Sequence, residues 1–128
     1  MVSVRAAKAK GSSHEYDCQE SLQPIYPLIY RTSERGFQLQ YDLRSDCEGL
    51  KAVFECKRLK SLSWNQAKKF FEKLEKVAPE GYSSFLLFKS NRQPCLVMYQ
   101  DIHGICVRTF EDVFKVPFLK HKSTRVRK

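Results

Sequence analysis

An amphipathic helix in the middle of the chain separates two groups of extended segments. Its apolar residues recur every three or four positions and are Trp64, Ala67, Phe70, Phe71, Leu74 and Val77. Ser63 and Gln66 have the spacing of a capping box that begins a helix, and Pro79 and Gly81 are expected to end it. The pattern predicts a helix that packs its apolar face, including Trp64, against a sheet.

Extended runs precede and follow this helix. They cover residues 28–32, 37–43 and 50–57 before it, and residues 84–88, 95–99 and 105–110 after it. A first helix is expected to begin at Ser12 or Ser13 and to end near Leu22, before Pro24. The order is helix, three-stranded meander, helix, and two or three strands. It predicts a single α/β domain with a central mixed five-stranded sheet flanked by helices.

The two ends of the chain are expected to lie outside this domain. Residues 1–9 are small and basic and predict a flexible arm, and residues 115–128 predict a basic tail. The folded domain would then span residues 10–114.

The chain is strongly basic, because 23 Lys and Arg residues against 14 Asp and Glu residues give a net charge of +9. A field of this sign attracts polyanions, so nucleic acid or an anionic membrane surface is the expected partner class. The sequence contains no apolar window of about 18 residues, and its N-terminus lacks the apolar core of a signal peptide. We therefore expect no membrane partner and a cytoplasmic location, at the nucleoid or, for a viral protein, in the host cytoplasm.

The spacing of cysteine and histidine residues argues against a zinc site. The five cysteines form no CxxC or Cys/His pair with ligand spacing, and they are Cys18, Cys47, Cys56, Cys95 and Cys106. They predict free thiols in a reduced compartment. His14, His103 and His121 are scattered and are expected at the surface or in turns rather than as metal ligands.

The segment AVFECKRLK, residues 52–60, places an acid among bases at the end of an apolar strand. Strand side chains alternate between faces, so Glu55 and Lys57 share one face while Phe54 and Cys56 share the other. If the preceding turn centres on residues 48–49, the hairpin register places Asp42 directly opposite Glu55. The sequence therefore predicts a cluster of Asp42, Glu55 and Lys57.

Two carboxylates on neighbouring strands repel each other unless a cation lies between them. Mg²⁺ binds oxygen ligands, takes one or two protein carboxylates, and completes its coordination with water and phosphate oxygens. Lys57 would then orient or help to deprotonate an attacking water, which suits metal-assisted phosphodiester hydrolysis. The alternative is an ordinary ion pair between Glu55 and Lys57 on an exposed strand end, with no catalytic role.

These residues resemble the signature of the PD-(D/E)XK nuclease superfamily. Asp42 and the later Glu55-Cys56-Lys57 lie between two helices, with Tyr41 in place of the proline of the superfamily name. Within the superfamily the chain is similar to the archaeal-type Holliday-junction resolvases, and the resemblance covers residues 8–110. It implies a restriction-endonuclease-like fold, with residues 10–114 as the nuclease domain.

Two further motifs carry the similarity to the resolvases. That family begins with a basic segment, a KG dipeptide and a glutamate four residues after the glycine, as in Lys10-Gly11 and Glu15 here. Its first strand ends in an Arg-Ser or similar pair near the scissile phosphate, where this chain has Arg31-Thr32-Ser33. The source could be an archaeon, a bacteriophage or another virus.

The resemblance implies a role for each candidate residue. Glu15, Asp42, Glu55 and the backbone carbonyl of Cys56 would bind Mg²⁺, or Mn²⁺ in its place, and Lys57 would position the attacking water. Contacts to DNA phosphates would come from Lys8, Lys10, Arg31, Ser33, Arg35, Arg58 and Lys60. The resemblance also implies a homodimer acting on branched double-stranded DNA, without a small-molecule cofactor.

Three functions remain open from the sequence. The first is a structure-selective endonuclease that resolves four-way or other branched DNA junctions. The second is another nuclease of the superfamily, of nicking or restriction type, because substrate choice depends on surfaces outside the metal site. The third is a non-catalytic, basic nucleic-acid-binding module.

Overall fold

One mixed sheet with helices on both faces forms the described part of the chain, residues 4–36, 40–61 and 63–119 of a computed structural model. The elements in chain order are α1 (Val4–Leu22), β1 (Tyr30–Arg31), a 3₁₀ helix (Thr32–Arg35), β2 (Leu43–Ser45), β3 (Ala52–Arg58), α2 (Trp64–Val77), β4 (Ser83–Lys89), β5 (Leu96–Asp101), β6 (Gly104–Thr109) and α3 (Phe110–Phe114). The six strands lie in the sheet in chain order. β3 and β4 pair in parallel, and each other neighbouring pair of these strands is antiparallel.

The α/β class and the mixed sheet are confirmed, but the prediction of five strands is wrong. The chain turns back after Asp101, and β6 pairs with β5 over its whole length, from Gly104 to Thr109. This hairpin adds the sixth strand.

The parallel pair results from α2, which connects β3 to β4 across one face of the sheet. On that face Ala67 and Phe71 of α2 pack against Leu86 and Phe88 of β4. The opposite face carries the larger core, in which α1 packs on alternate residues of β3 and α3 contributes two phenylalanines. The buried residues of this core include Cys18, Leu22, Ala52, Phe54, Cys56, Phe110 and Phe114. The alternation predicted for β3 is confirmed, because Cys56 faces this core while Glu55 and Lys57 face α2.

The central helix agrees with its sequence pattern in all but one residue. It spans Trp64–Val77, and the Ser63 hydroxyl accepts the Gln66 N–H at 3.3 Å, as predicted for the cap. Ala67, Phe71 and Leu74 are buried. Trp64, predicted as a core residue, is instead 52% exposed. It is the first residue of the helix, one turn before the first buried position.

The first helix begins much earlier than predicted. It starts at Val4 rather than at Ser12 or Ser13, so it includes most of the segment expected to be a flexible arm. The alanine and lysine residues of 5–10 have high helix propensity, and a single interior glycine such as Gly11 weakens a helix by about 1 kcal/mol without ending it. The helix ends at Leu22, before Pro24, as expected.

The first strands are shorter than their sequence runs. β1 covers only Tyr30–Arg31 of the run 28–32, and β2 begins at Leu43, where the run 37–43 was expected to end. Residues 37–39 lie outside the described residues. The predicted register is nevertheless confirmed, with Leu43 opposite Phe54 and Arg44 opposite Val53.

The register follows from the turn that joins these two strands. The Leu50 N–H donates to the Cys47 carbonyl at 2.8 Å, so the turn centres on residues 48–49, as predicted. Gly49 has φ 81°, a left-handed conformation that favours glycine.

Residues 110–119 return the chain to α1. The short helix α3 was not predicted, and the Thr109 hydroxyl caps it by accepting the Asp112 N–H at 3.2 Å. Residues 115–119, expected as the start of a tail, run on to α1, where the Leu119 N–H donates to the Ser21 hydroxyl at 2.7 Å. Across the described ranges, no helix has the length and apolar character required to cross a membrane.

Candidate metal and nucleic-acid site

A cleft of about 350 Å³ opens between α2 and the segments that carry the predicted acids. Its lining residues are Gln40, Tyr41, Asp42, Glu55, Lys57, Phe70, Lys73 and Leu74. Three of the four predicted catalytic residues therefore line one cleft. The fourth, Glu15, reaches Asp42 from α1 through a side-chain hydrogen bond.

Asp42 lies immediately before β2 and is held by backbone groups of β3 and of the 3₁₀ helix. Its Oδ2 accepts the Cys56 N–H at 2.9 Å. Its own N–H donates to the Phe54 carbonyl, and its carbonyl accepts the Thr32 N–H, both at 3.0 Å. Burial raises the pKa of the Asp42 carboxyl, although the Cys56 N–H acts in the opposite direction. The Asp42 carboxylate is thus fixed in a largely desolvated position beside β3.

Glu15 is oriented by Arg31. The Nε of Arg31 donates to a Glu15 oxygen at 3.2 Å, and a terminal nitrogen of Arg31 forms an ion pair with the same oxygen at 3.1 Å. The Arg31 guanidinium lies 4.3 Å from the centre of the Tyr16 ring. Burial, followed by the charge of Asp42, raises the pKa of Glu15 to about 7. Near neutral pH the Glu15 carboxyl therefore holds a proton in part of the molecules, and can donate it to Asp42.

Glu55 and Lys57 share one face of β3, as predicted, and form an ion pair. Lys57 Nζ lies 3.4 Å from a Glu55 oxygen and 4.6 Å from the centre of the Phe70 ring. Burial and the charge of Asp42 raise the pKa of Glu55 to about 7, with a smaller contribution from Glu15, while Lys57 lowers it. One Lys57 charge does not offset the burial and repulsion that act on this carboxylate.

The three acids match the donor chemistry of Mg²⁺. Within residues 4–36, 40–61 and 63–119, no three His, Cys, Asp or Glu side chains are arranged to hold a metal ion. Mg²⁺ needs fewer protein ligands, because it binds through one or two carboxylates and completes its octahedron with water and phosphate oxygens. Asp42 and Glu55 can supply those two carboxylates, and the raised pKa of Glu55 shows that its site favours a neutralising partner. The Cys56 carbonyl remains a predicted ligand.

The raised pKa of Glu55 predicts how the stability of the metal-free chain, measured in chelator, changes with pH. Glu55 binds its proton more tightly in the folded chain, so its contribution is full below its ordinary pKa of 4.5 and is lost as the pH rises through about 7. We expect Glu55→Gln to match the wild-type Tm near pH 4.5 and to exceed it above pH 7 by about 3–6 °C. Thermal denaturation between these pH values measures the difference.

Glu48→Gln is the matched control, because the Glu48 side chain is 96% exposed in the turn between β2 and β3. A Glu55→Gln curve parallel to wild type would contradict the raised pKa. Burial lowers the pKa of His14 to about 4, so the contribution of His14 to stability is lost as the pH falls. This loss changes the Tm of wild type and of Glu55→Gln alike and leaves the difference between the two Tm values unchanged.

The structure places the predicted DNA contacts in different environments. Arg31 is engaged with Glu15 and, at 3.6 Å, with Glu34, so its guanidinium does not project into solvent as a phosphate clamp. The other predicted DNA contacts whose side chains the structure describes are exposed, and they are Ser33, Arg35, Arg58 and Lys60. Arg35 lies over the Tyr30 ring at 3.9 Å, and Arg58 donates to Asn91 Oδ1 at 2.7 Å. Lys8 and Lys10 belong to α1, but their side chains lie outside those described.

Several cleft residues were not found from the sequence. Phe70 was assigned to the core, yet its ring also contacts the Lys57 ammonium. Lys73 lies three residues further on α2 and lines the same cleft, which helical spacing from Phe70 could have indicated. The pairing of Arg31 with Glu15 joins two elements of unrelated sequence position, and no local pattern reports it.

His14 also differs from its prediction. It is buried rather than exposed at the surface, and its Nε2 lies 3.5 Å from the Leu87 carbonyl. His14 and Glu15 are successive residues of α1 and therefore face different directions, so His14 can be buried while Glu15 reaches Asp42.

Comparison of the chain with protein family models, with curated proteins and with solved structures finds no match.

Proposed function

We propose that the chain is a metal-dependent endodeoxyribonuclease that resolves four-way or other branched DNA junctions as a homodimer. The observation that carries the proposal is that Asp42, Glu55 and Lys57 line one cleft, while Glu15 of α1 is hydrogen-bonded to Asp42. All three carboxyls are partly buried, and their pKa values are raised. Perturbed carboxyl pKa values of this kind are typical of functional sites.

The order of elements supports a restriction-endonuclease-like domain. A helix precedes three antiparallel strands, and a crossover helix leads to a strand that is parallel to the third. Asp42 stands before the second of these strands and Glu55 in the third, so the hairpin brings them together. This placement supports the proposal.

Each residue has a defined part in the proposed hydrolysis. Asp42 and Glu55 would bind Mg²⁺, which supplies charge stabilisation and activation for attack on the phosphodiester. Glu15 would lose its proton and serve as the third carboxylate of the site, and Arg31 would hold that carboxylate in place. Lys57 orients the attacking water from the ammonium position 3.4 Å from Glu55.

Exposed basic residues would bind the DNA backbone. Arg35, Arg58 and Lys60 are exposed, and Lys73 adds a positive charge on the α2 side of the cleft. The net charge of +9 favours the approach of a polyanion. Binding through several phosphate contacts should weaken steeply with salt.

A non-catalytic nucleic-acid-binding module is the second candidate. Two of the three acids already have cationic partners, Arg31 for Glu15 and Lys57 for Glu55. Such pairs can be structural, and the exposed bases would bind DNA without cleavage. Cleavage by the purified chain separates this candidate from the nuclease.

Substrate choice is tested by comparing a mobile four-way junction with a linear duplex of matching sequence, in Mg²⁺. We expect paired, symmetric nicks near the crossover of the junction and little cleavage of the duplex, because two active sites of a dimer would address opposing strands. Denaturing gels of each end-labelled strand give the positions. Equal cleavage of the linear duplex would instead favour a nicking or restriction-type nuclease.

A further inference from the structure

Trp64 is the single tryptophan of the chain and has a large exposed aromatic surface. Its indole is 52% exposed at the first position of α2, although its sequence spacing resembles that of a core residue. We propose that Trp64 stacks on an unpaired base of the DNA substrate. This rests on the proposed function as far as the partner is DNA, and it adds which part of the DNA is recognised.

The charge around Trp64 favours nucleic acid as its partner. From residue 57 to residue 71 the chain has no Asp or Glu, and its five bases are Lys57, Arg58, Lys60, Lys68 and Lys69. Ile102 lacks such surroundings, because it is 92% exposed but lies at a turn beside Asp101. An exposed aromatic ring among bases is the combination by which proteins bind single-stranded nucleic acid.

The topology places Trp64 just beyond the strand that carries two of the candidate catalytic residues. Because α2 follows β3 after a short connection, its first residue lies near the carboxyl end of β3, where Lys57 lies, and Glu55 precedes Lys57 by two residues on the same strand. The parallel strands end together there. The Leu59 N–H donates to the Lys89 carbonyl at 2.9 Å, and Arg58 binds Asn91. A DNA strand that enters the cleft can therefore reach the indole along the bases of residues 57–60.

Stacking chemistry selects unpaired bases. Bases inside a duplex already stack on their neighbours and offer no free face, whereas a base at a gap, a flap or an open junction centre does. Stacking on an aromatic side chain tolerates any base sequence. Loss of the ring is expected to weaken binding of unpaired DNA by roughly 5- to 100-fold.

The test uses Trp64 itself as the probe, because fluorescence excited selectively in tryptophan reports this residue alone. The full-length chain, in chelator to prevent cleavage, is titrated with oligothymidylate and with an abasic oligonucleotide of equal length. Both present the same phosphates, but only the first presents bases. We expect saturable quenching by oligothymidylate, and binding without quenching by the abasic strand, measured by anisotropy of labelled DNA.

Variants separate stacking from folding and from charge. Trp64→Ala should lose the 5- to 100-fold affinity for oligothymidylate while its binding of blunt duplex stays unchanged, and Trp64→Phe should retain most of the affinity. Ile102→Ala is the matched control for loss of an exposed apolar side chain. Circular dichroism confirms that each variant is folded.

Three results would overturn the proposal. Binding of oligothymidylate with unchanged Trp64 fluorescence would refute stacking and leave the nuclease proposal standing. Quenching that depends on protein concentration without DNA would assign Trp64 to a contact between copies of the chain. Absence of binding to every DNA tested would refute the proposed function together with this inference.

Discussion

Asp42→Asn is expected to abolish cleavage of a four-way junction in Mg²⁺, with a loss of at least ~10²-fold that reflects a missing metal ligand and missing negative charge. The Asp42 carboxylate accepts the Cys56 N–H at 2.9 Å. Asparagine retains an oxygen that can accept the same N–H, so the hairpin should stay intact. The loss should therefore appear in turnover and Mg²⁺ dependence rather than in folding. Single-turnover cleavage of labelled junction measures it.

The control for this variant is Asp112→Asn. Asp112 is exposed in the first turn of α3, away from the cleft, and its replacement removes the same charge from the chain. Junction affinity in chelator should be equal for both variants or slightly higher than for wild type, since each removes one acid. Unchanged cleavage by Asp42→Asn would exclude the proposed metal site.

Lys57→Met is expected to lower junction cleavage by about 10²–10⁴-fold, the usual effect of removing a group that orients or deprotonates the attacking water. Methionine keeps much of the apolar stem that packs near Phe70 but lacks the ammonium 3.4 Å from Glu55. Because Asp42 and Glu55 remain, Mg²⁺ binding should persist. Cleavage rates and Mg²⁺ titrations followed by calorimetry separate the two properties.

Lys73→Met provides the comparison from within the same cleft. Lys73 lines the cleft from α2 without a place in the Glu55 pair, so its loss should weaken DNA binding and alter cleavage at saturating DNA by less than about tenfold. Similar losses for the two variants would show that Lys57 acts as one of several phosphate-binding charges. That result would remove Lys57 from the hydrolytic step.

The hairpin could be predicted because its constraints are local. Side chains alternate along β3, and the turn at residues 48–49 fixes the register, so Leu43 opposite Phe54 and the position of Asp42 follow. The central helix followed from the spacing of its apolar residues and from the Ser63 cap. Glu15 came from the resemblance to a nuclease family, since nothing in the periodicity of α1 distinguishes it.

Other features depend on contacts between distant segments. The Arg31 side chain turns to Glu15 because the two meet only after α1 and β1 pack. Trp64 was placed in the core by its spacing, but a helix can extend beyond the sheet it covers, and the pattern cannot show where the sheet ends. The return of residues 115–119 to α1 likewise depends on Ser21, far away in the sequence.

The central claim is that this carboxylate cluster supports metal-dependent cleavage of DNA. Its most direct test is incubation of the wild-type chain with a labelled four-way junction in Mg²⁺ and, in parallel, in chelator. The account predicts cleavage in Mg²⁺, or in Mn²⁺ in its place, and none in chelator. Absence of cleavage with either ion, although the junction is bound, or equal cleavage in chelator, would contradict it.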